Sequence, residues 1–316
     1  MLLAARHRAD RQRETDLPPR FEDPAAARGV LQTIMRGQDT HGVVALRGGR
    51  AVGYLLGSLK TPPHVSYRQV TVSYAGAAVD LAQERVDGRE VYREMYAAVA
   101  LQWVAAGCFA HYVSTPAKDR VAVDAWFSLD FGQDNTLAVR DTLPANGVGV
   151  ASDFEIRRAG PEDIDTAVRL EDELRRYQAG SPVFVPYPPK RRAGLRKLNE
   201  QLLANPAIGY WLAYRRGRAV GMQVFAPAPG GWMNLPERSI ALEHAYTEEE
   251  ERGSGVGAAL LRHGLAWARE TGFERCVVDW ETPNLLASRF WQHTGFRPLS
   301  FWLCRRIDER VSRARE

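Results

Sequence analysis

An internal repeat is the feature that most constrains how this 316-residue chain can fold. The pentapeptide Gly49-Arg50-Ala51-Val52-Gly53 recurs 168 positions later as Gly217-Arg218-Ala219-Val220-Gly221. Each copy lies between two strand-like apolar runs, which predicts a β-hairpin with a turn of glycine and arginine. Further markers keep the same order at offsets of 164 to 167, namely Trp103 and Trp267, Thr115-Pro116 and Thr282-Pro283, Trp126 and Trp291, Phe131 and Phe296. The chain is therefore predicted to contain two copies of one α/β domain.

The boundary between the two copies is predicted in the turn-rich segment 144–149. We assign residues 1–148 to the first domain and residues 149–316 to the second. The second copy opens with a strand at 154–158, and a helix then starts near Gly160, where a proline and two acids suit a first turn. At the same offset Met1 corresponds to about residue 169, so either the first copy lacks that opening strand or the true start lies upstream of Met1.

The composition, 45% apolar and 25% charged, is that of a globular protein and excludes several classes of function. No stretch approaches the roughly 18 uninterrupted apolar residues of a membrane span, and the N-terminus becomes charged too early for a secretory signal. The three cysteines, Cys108, Cys276 and Cys304, have no metal-ligand spacing. The net charge is +4, but no basic stripe with interleaved aromatic residues indicates nucleic acid. We therefore expect a cytoplasmic protein without a metal, a membrane or a nucleic-acid partner.

A glycine-rich loop in the second copy is suited to binding phosphate groups. A strand predicted over 239–247 is followed by an acidic run and then by Arg252-Gly253-Ser254-Gly255-Val256-Gly257, which leads into a helix through Glu270. A glycine-rich turn at a helix N-terminus exposes backbone N–H groups and lets a phosphate approach them closely. Arg252 adds a permanent cation whose fork geometry suits phosphate oxygens. Taken alone, such a turn is as often only a connection between a strand and a helix.

A second motif begins 32 residues after Arg252. A short strand at 276–280 is followed by Asn284-Leu285-Leu286-Ala287-Ser288-Arg289-Phe290-Trp291-Gln292-His293-Thr294-Gly295-Phe296. Together the two motifs resemble the GNAT superfamily of acyl-CoA N-acyltransferases, over about residues 154–305. The residues that match the acyl-CoA loop and the following helix of that superfamily are Arg252, Gly255 and Gly257, and then Asn284, Ala287, Phe290, Gly295 and Phe296. With its repeat, the chain is similar to two-domain members of the superfamily.

The resemblance implies two tandem GNAT-like domains of the α/β (α+β) class, each a mixed twisted sheet flanked by helices. In the second domain, acetyl-CoA would enter a splay in the middle of the sheet. Its pantetheine arm would pair with backbone groups of Ala245, Tyr246 and Thr247, and its pyrophosphate would lie on the loop formed by Arg252, Gly253, Ser254, Gly255, Val256 and Gly257. Asn284 would reach the cofactor arm, and Trp291 would stack on the cofactor or serve as a core aromatic residue.

The residues that move protons depart from the family pattern. Many members carry a tyrosine as general acid where this chain has Trp291, so another group or water must protonate the thiolate, or the free thiolate leaves. An ammonium acceptor must also lose a proton before it attacks. Strand alternation makes Glu243 the candidate general base, with His244 on the opposite face as the second candidate. Asp279 and Glu281 are further acids that would bind a cationic substrate.

The first copy does not keep all the glycines that an acyl-CoA loop needs. At an offset of 167, Gly255 corresponds to Gly88, but Gly257 corresponds to Glu90. A carboxylate at that position would repel a pyrophosphate. We therefore expect a degenerate N-terminal domain that covers the substrate cleft, forms part of it or mediates a homodimer.

The leading hypothesis is an N-acetyltransferase that moves an acetyl group from acetyl-CoA to a primary amine of a small molecule or peptide by direct attack. The alternative is a non-catalytic acyl-CoA-binding sensor or regulatory module, because the usual tyrosine is absent and the base is open. A structural or dimerisation protein is the third hypothesis, and it predicts no binding of acetyl-CoA.

Overall fold

A computed structural model of the protein describes residues 1–62, 65–80, 87–143 and 154–313. The chain forms two compact units. The first comprises Met1–Leu137, Gly231–Pro236 and Pro298–Glu316, and the second comprises Ala138–Gly230 and Glu237–Arg297. The predicted domain boundary between residues 148 and 149 lies outside the described residues. The sequence assigned residues 298–316 to the second domain, whereas this segment belongs to the first compact unit.

The first unit is built on a mixed sheet. Its helices are α1 (Leu2–Arg13), α2 (Pro24–Met35), α3 (Gly88–Ala105), α4 (Arg120–Phe127) and α10 (Arg310–Arg313). Its strands are β1 (Thr40–Arg47), β2 (Arg50–Lys60), β3 (Gln69–Val72), β4 (Ala77–Val79), β5 (Ala110–Pro116), the first part of β6 (Gly132–Asp141) and all but the first residue of β12 (Arg297–Arg306). β2 pairs antiparallel with β1, β3 and β4; β3 pairs parallel with β5, and β5 pairs antiparallel with β12.

The second unit is also built on a mixed sheet. Its helices are α5 (Ile164–Ala179), α6 (Pro189–Ala193), α7 (Leu195–Ala204), α8 (Val256–Glu270) and α9 (Leu285–His293). Its further strands are β7 (Glu155–Arg158), β8 (Gly209–Arg215), β9 (Arg218–Pro227), β10 (Ser239–Thr247) and β11 (Arg275–Glu281). β7, β8, β9 and β10 follow one another in antiparallel order, and β10 pairs parallel with β11.

Both units therefore have the mixed sheet and the flanking helices that the sequence predicts. Across the described ranges, no helix combines the length and the apolar character needed to cross a membrane.

The two repeated pentapeptides form hairpins of the same construction. Two residues connect the strands in each, Gly48-Gly49 and Arg216-Gly217, and all four have φ between 51° and 77°. Positive φ at both central residues gives the turn whose twist matches that of paired strands. In both hairpins the register shifts by one residue at the valine of the pentapeptide, Val52 or Val220. The hairpin prediction is confirmed, and the two registers repeat 168 positions apart.

A close approach between α8 and the sheet forms the core of the second unit. The predicted apolar face of α8 is buried at Val256, Leu260 and Ala268. At Gly264 the helix lies so near the sheet that a Cβ would meet Cε2 of Phe225 at 2.2 Å. Phe225 is fully buried and cannot withdraw. The packing of α8, and with it the position of the glycine-rich loop at its start, therefore requires glycine at residue 264.

The substitution Gly264→Ala should destabilise the protein, although alanine is the better helix former. Overpacking against Phe225 costs about 1–3 kcal/mol, and the gain in helix propensity offsets about 1 kcal/mol. Gly29→Ala in α2 is the matched control, since nothing lies within 4 Å of a Cβ there, and it should stabilise. Calorimetric melting temperatures that shift in the same direction for both variants would contradict the packing argument.

Candidate functional site

Two neighbouring strands of the second unit separate at one end and open a cleft. β10 and β11 pair from Ser239 with Arg275 to Leu242 with Val278. The described pairing stops there, although β10 continues to Thr247 and β11 to Glu281. A cleft of about 630 Å³ lies at this fork, and α5, α8 and α9 contribute side chains to its walls. The backbone edge of β10 beyond the fork can therefore pair with a ligand.

Of the residues predicted to bind the cofactor or to act as the first candidate base, the structure brings all but one to this cleft. The residues that line it are Glu243, Ala245, Tyr246, Thr247, Arg252, Gly253, Gly255, Val256, Gly257, Asn284 and Trp291. Ser254 is the exception: it is exposed, and its hydroxyl donates to the carbonyl of Glu251 at 2.6 Å. The hydroxyl of Ser254 thus stabilises the turn itself. The functional roles of all these residues stay predictions.

The loop at the start of α8 leaves an open helix terminus. Gly253 and Gly255 have φ of 79° and 94°, values that favour glycine. Gly255 is the N-cap, and within the described residues no side chain caps this terminus. A Cβ on Gly257 would lie 3.3 Å from the ring of Phe290 and 3.6 Å from Oγ1 of Thr247. The first-turn N–H groups are therefore available to an anion, and glycine keeps the space in front of them open.

The corresponding helix of the first unit is closed by its own chain. The carboxylate of Asp87, the N-cap of α3, accepts hydrogen bonds from the N–H groups of Arg89 at 3.0 Å and Glu90 at 3.4 Å. The sequence singled out Glu90 as the obstructing acid, but that side chain pairs with Arg93 at 2.6 Å. The carboxylate on the helix terminus is therefore that of Asp87. Residues 85 and 86, which the same offset of 167 aligns with Arg252 and Gly253, lie outside the described residues.

A tyrosine that the sequence did not single out joins two predicted site residues. The hydroxyl of Tyr177, on α5, donates to Oδ1 of Asn284 at 3.2 Å, and the guanidinium of Arg252 lies 4.9 Å from the centre of its ring. Asn284 is 6% exposed, and its Oδ1 also caps α9 by accepting from the N–H of Ala287 at 3.1 Å. Burial raises the pKa of Tyr177, although Arg252 acts to lower it. No motif marks a tyrosine on a helix so far from the loop, so sequence patterns could not find it.

Trp291 has a structural role whatever else it does. It is 5% exposed and makes edge-to-face contacts with Phe290 and Phe296, with ring centres 4.8 and 5.4 Å apart. It packs in the core that α8 and α9 form on the sheet, and part of its surface lines the cleft. Trp291 is therefore a core aromatic residue at the edge of the cleft.

Glu243 lies where β10 departs from regular alternation. The register with β9 shifts between Leu242 and His244, so Glu243 is the extra residue of a β-bulge. The simple alternation used to orient Glu243 from the sequence is interrupted at this residue. Desolvation by the cleft walls, and next the charge of Asp279, raise the pKa of Glu243, while His244 acts to lower it. A carboxylate with a raised pKa is better matched to proton transfer near neutral pH.

His244, the second candidate base, is engaged by α5. Its Nδ1 lies 2.9 Å from Oε2 of Glu171, and its Nε2 lies 3.1 Å from Nη2 of Arg175. An arginine N–H can only donate, so Nε2 accepts and Nδ1 carries the proton. Burial acts to raise the pKa of Glu171, but the hydrogen bonds and charges of His244 and Arg175 outweigh it and lower that pKa. The ring of His244 thus faces Glu171 and Arg175 on α5, whereas Glu243 lines the cleft.

Gln223 on β9 is a buried polar residue of the cleft wall. It is 2% exposed, and its Nε2 donates to the carbonyl of Gly257 at 3.0 Å. Because that carbonyl can only accept, the amide orientation is fixed. Oε1 then has no hydrogen-bond partner among the described residues. The wall therefore holds a buried acceptor that none of the described residues satisfies.

The cleft falls within a segment of the chain that matches a known family. Residues 171–296 match the acetyltransferase (GNAT) family. The chain is 31% identical over 100 residues, 32% of its length, to N-acetyltransferase 8 of Homo sapiens. It is 27% identical over 146 residues, 46% of its length, to an uncharacterized N-acetyltransferase of Archaeoglobus fulgidus, of which 93% is covered. The match spans 43% of human N-acetyltransferase 8 and 46% of human N-acetyltransferase 8B, about half of each.

The fold has a counterpart among solved structures. The GCN5-related N-acetyltransferase from Sphaerobacter thermophilus superposes with a TM-score of 0.53 at 15% identity, covering 89% of this chain and 85% of that protein. At that identity the likeness concerns the fold alone. Residues 171–296 thus match the acetyltransferase (GNAT) family in sequence, and the fold of the chain has a counterpart in a solved structure.

Proposed function

We propose that this protein is an N-acetyltransferase that transfers an acetyl group from acetyl-CoA to a primary amine of a small molecule or peptide. The observation that carries the proposal is the uncapped, glycine-rich N-terminus of α8, which opens into the cleft where β10 and β11 separate. The family match and the N-acetyltransferase names of the relatives support it.

The pyrophosphate and the pantetheine arm of acetyl-CoA would each bind residues of matching chemistry in the cleft. The pyrophosphate would accept hydrogen bonds from the first turn of α8 and from Arg252. The pantetheine amides would pair with the edge of β10 at Ala245 to Thr247, because β9 occupies only the other edge of that strand. The amide NH₂ of Asn284 remains for the cofactor, since its Oδ1 is engaged by Tyr177 and by the cap of α9.

Transfer would proceed by direct attack. Glu243 takes a proton from the acceptor ammonium, directly or through a water, and the neutral nitrogen attacks the thioester carbonyl carbon. The C–N bond forms, the C–S bond breaks, CoA leaves as a thiolate, and the nitrogen of the new amide gives its second proton to that thiolate or to water. The indole of Trp291 cannot supply a proton to sulfur. Departure of the free thiolate is tolerable, because an ordinary thiol pKa is about 8.5.

We further propose that the chain is a tandem duplication of one domain, residues 1–148 and residues 149–316, with one working acyl-CoA site. The matching turns and registers of the two hairpins support the duplication. The carboxylate of Asp87 on the N-terminus of α3 supports the loss of the first site, because it occupies the N–H groups that a pyrophosphate would need.

Bulky residues in the loop should remove acetyl-CoA binding. Gly257→Leu fills the space in front of Phe290 and Thr247, and Gly255→Val strains a residue at φ 94°. Gly272→Val is the matched control, because Gly272 has nearly the same φ, 93°, at the far end of α8. Isothermal titration calorimetry should detect binding to the control and none to either loop variant. Binding that survives both loop substitutions would show that the loop assignment is wrong.

A non-catalytic acyl-CoA sensor is the second candidate function, and the buried Trp291 in place of a proton donor favours it. Calorimetry with acetyl-CoA and a thiol-release assay over a panel of amines separate the two. Tight binding without thiol release on any amine would support the sensor.

Glu243→Gln should lower kcat by about 10²- to 10⁴-fold, the usual contribution of a general base, and leave the Kd for acetyl-CoA unchanged. In the wild type, kcat/KM should fall as the pH falls through the raised pKa of Glu243, because the protonated carboxyl cannot accept a proton. The variant should lack this acid limb. Glu270→Gln, on an exposed carboxylate outside the cleft lining, is the control and should retain the wild-type profile.

A further inference from the structure

The two walls of the cleft follow different strands, and these strands separate at the fork. The wall with the glycine-rich loop follows β10, and the wall that begins at Asn284 follows β11. The described pairing of the two strands ends at Leu242 with Val278. The position of Arg252 relative to Asn284 therefore depends on tertiary contacts rather than on the ladder of β10 and β11.

Tyr177, on α5, contacts both walls. Its hydroxyl donates to Oδ1 of Asn284 at 3.2 Å, and its ring centre lies 4.9 Å from the guanidinium of Arg252. Tyr177 is half-buried and lines the cleft. One side chain thus joins the first residue of the glycine-rich loop to the residue that caps α9.

The position of Tyr177 is set by the anchoring of α5 on the sheet. Leu170, Leu174 and Tyr177 follow one another at i, i+4 and i+7, so they share one face of the helix. Leu170 and Leu174 are buried in the core of the second unit. On the same helix, Oε2 of Glu171 lies 2.9 Å from the ring of His244 on β10. These apolar and polar contacts restrict where the side chain of Tyr177 can reach.

The ring of Tyr177 orders Arg252 better than its ionic partner does. Glu249 lies 3.7 Å from the guanidinium, and its side chain is 81% exposed. An exposed ion pair of this kind contributes little, whereas the face of an aromatic ring attracts a guanidinium and fixes its plane. An arginine that is already ordered loses less side-chain freedom when a ligand binds. The ring therefore prepares Arg252 for a pyrophosphate.

The hydroxyl of Tyr177 determines which hydrogen-bonding group Asn284 offers to a ligand. An amide oxygen has two lone pairs, and Oδ1 of Asn284 accepts from the N–H of Ala287 at 3.1 Å as well as from Tyr177. Burial raises the pKa of Tyr177, so the phenol keeps its proton at neutral pH and remains a donor. With both lone pairs engaged, Asn284 can only donate to the cleft, and it favours carbonyl or hydroxyl oxygens of a ligand.

We propose that Tyr177 is a positioning residue for acetyl-CoA, ordering Arg252 through its ring and restricting Asn284 to donation through its hydroxyl. This inference rests on the proposed function and adds to it a residue outside both sequence motifs. The ring serves the pyrophosphate end of the cofactor, and the hydroxyl serves the pantetheine arm. Because different parts of one side chain make the two contacts, each can be removed separately.

Tyr177→Phe removes the hydroxyl and keeps the ring. Calorimetry on the full chain compares ADP, a pyrophosphate without the arm, with S-acetylpantetheine, the arm without phosphate. The Kd for S-acetylpantetheine should rise about two- to tenfold, the usual effect of one lost hydrogen bond, because Oδ1 of Asn284 loses a donor. The Kd for ADP should stay unchanged. An equal loss for both ligands would indicate a general structural role, and an unchanged Kd for S-acetylpantetheine would overturn the role of the hydroxyl.

Tyr177→Leu removes the ring as well. The Kd for ADP should now rise about two- to fivefold, the effect of losing an exposed cation–π contact. In the Arg252→Gln background the same substitution should leave the Kd for ADP unchanged, because the cation that the ring orders is gone. A loss of equal size in that background would overturn the role of the ring.

Tyr214→Leu is the matched control. The hydroxyl of Tyr214 donates to Asp163 at 3.1 Å and the guanidinium of Arg157 lies 4.7 Å from its ring centre, but Tyr214 is not among the described residues that line the cleft. The Kd values for both ligands should not change in this variant. Circular dichroism checks folding, and Tyr177→Phe decides the inference if Tyr177→Leu does not fold.

The two proposals fail in different ways. A wild type that binds no acetyl-CoA would overturn the proposed function and this inference with it. A wild type that binds acetyl-CoA, ADP and S-acetylpantetheine with the same Kd values as both Tyr177 variants would overturn the inference alone.

Discussion

The separation of β10 from β11 is the constraint on which the rest of the site depends. Backbone N–H and C=O groups must be paired or hydrated, and the pairing of these strands stops at Leu242 and Val278. From that point β10 has one edge bonded to β9 and the other open to the cleft. The Glu243 bulge falls directly after the last pair, so the residue released from the ladder lies at the base of the opening. The site is thus a consequence of interrupted strand pairing.

The two units differ in whether a side chain caps the N-terminus of the corresponding helix, α3 in the first unit and α8 in the second. α3 and α8 follow corresponding strands, and both begin with orphan N–H groups. In the first unit the carboxylate of Asp87 accepts hydrogen bonds from two of them, the N–H groups of Arg89 and Glu90. In the second unit Gly255 has no side chain that could accept from these N–H groups. Solvent or an anionic ligand must therefore accept their hydrogen bonds. A single carboxylate at the cap therefore separates a closed helix end from one suited to pyrophosphate.

The repeat, the hairpins, strand β10 and helix α8 could be predicted because each depends on local patterns of apolar residues and glycine. The bulge at Glu243 could not, because it arises from the pairing of β9 with β10 rather than from the residue itself. Tyr177 and Gln223 reach the cleft from other elements through tertiary packing, and neither carries a motif. The inclusion of residues 298–316 in the first unit depends on the pairing of β12 with β5, a partner nearly 200 residues away. Asp87 was overlooked because the obvious acid in the aligned motif was Glu90.

Each unit has a buried ion pair within one helix, and the two pairs run in opposite order along the chain. The arginine precedes the acid in the first unit, and the acid precedes the arginine in the second. On α1, Nε of Arg6 lies 3.2 Å from Oδ2 of Asp10, and on α5, Nη2 of Arg175 lies 2.6 Å from Oε1 of Glu171, at positions 165 residues apart. Arg6 donates to the carbonyl of Tyr74, which lies between β3 and β4, and to that of Ala77, the first residue of β4.

Glu171 instead faces the Nδ1–H of His244, the residue after the bulge. A break that leaves carbonyl groups unpaired requires a donor on the opposing helix, whereas a histidine that turns its N–H toward the helix requires an acceptor. A buried charge without such a partner would cost several kcal/mol, so neither ion pair could replace the other. Arg6 thus binds backbone carbonyls in the segment between β3 and β4 of the first unit, whereas the one-residue bulge in the second unit places Glu243 at the cleft.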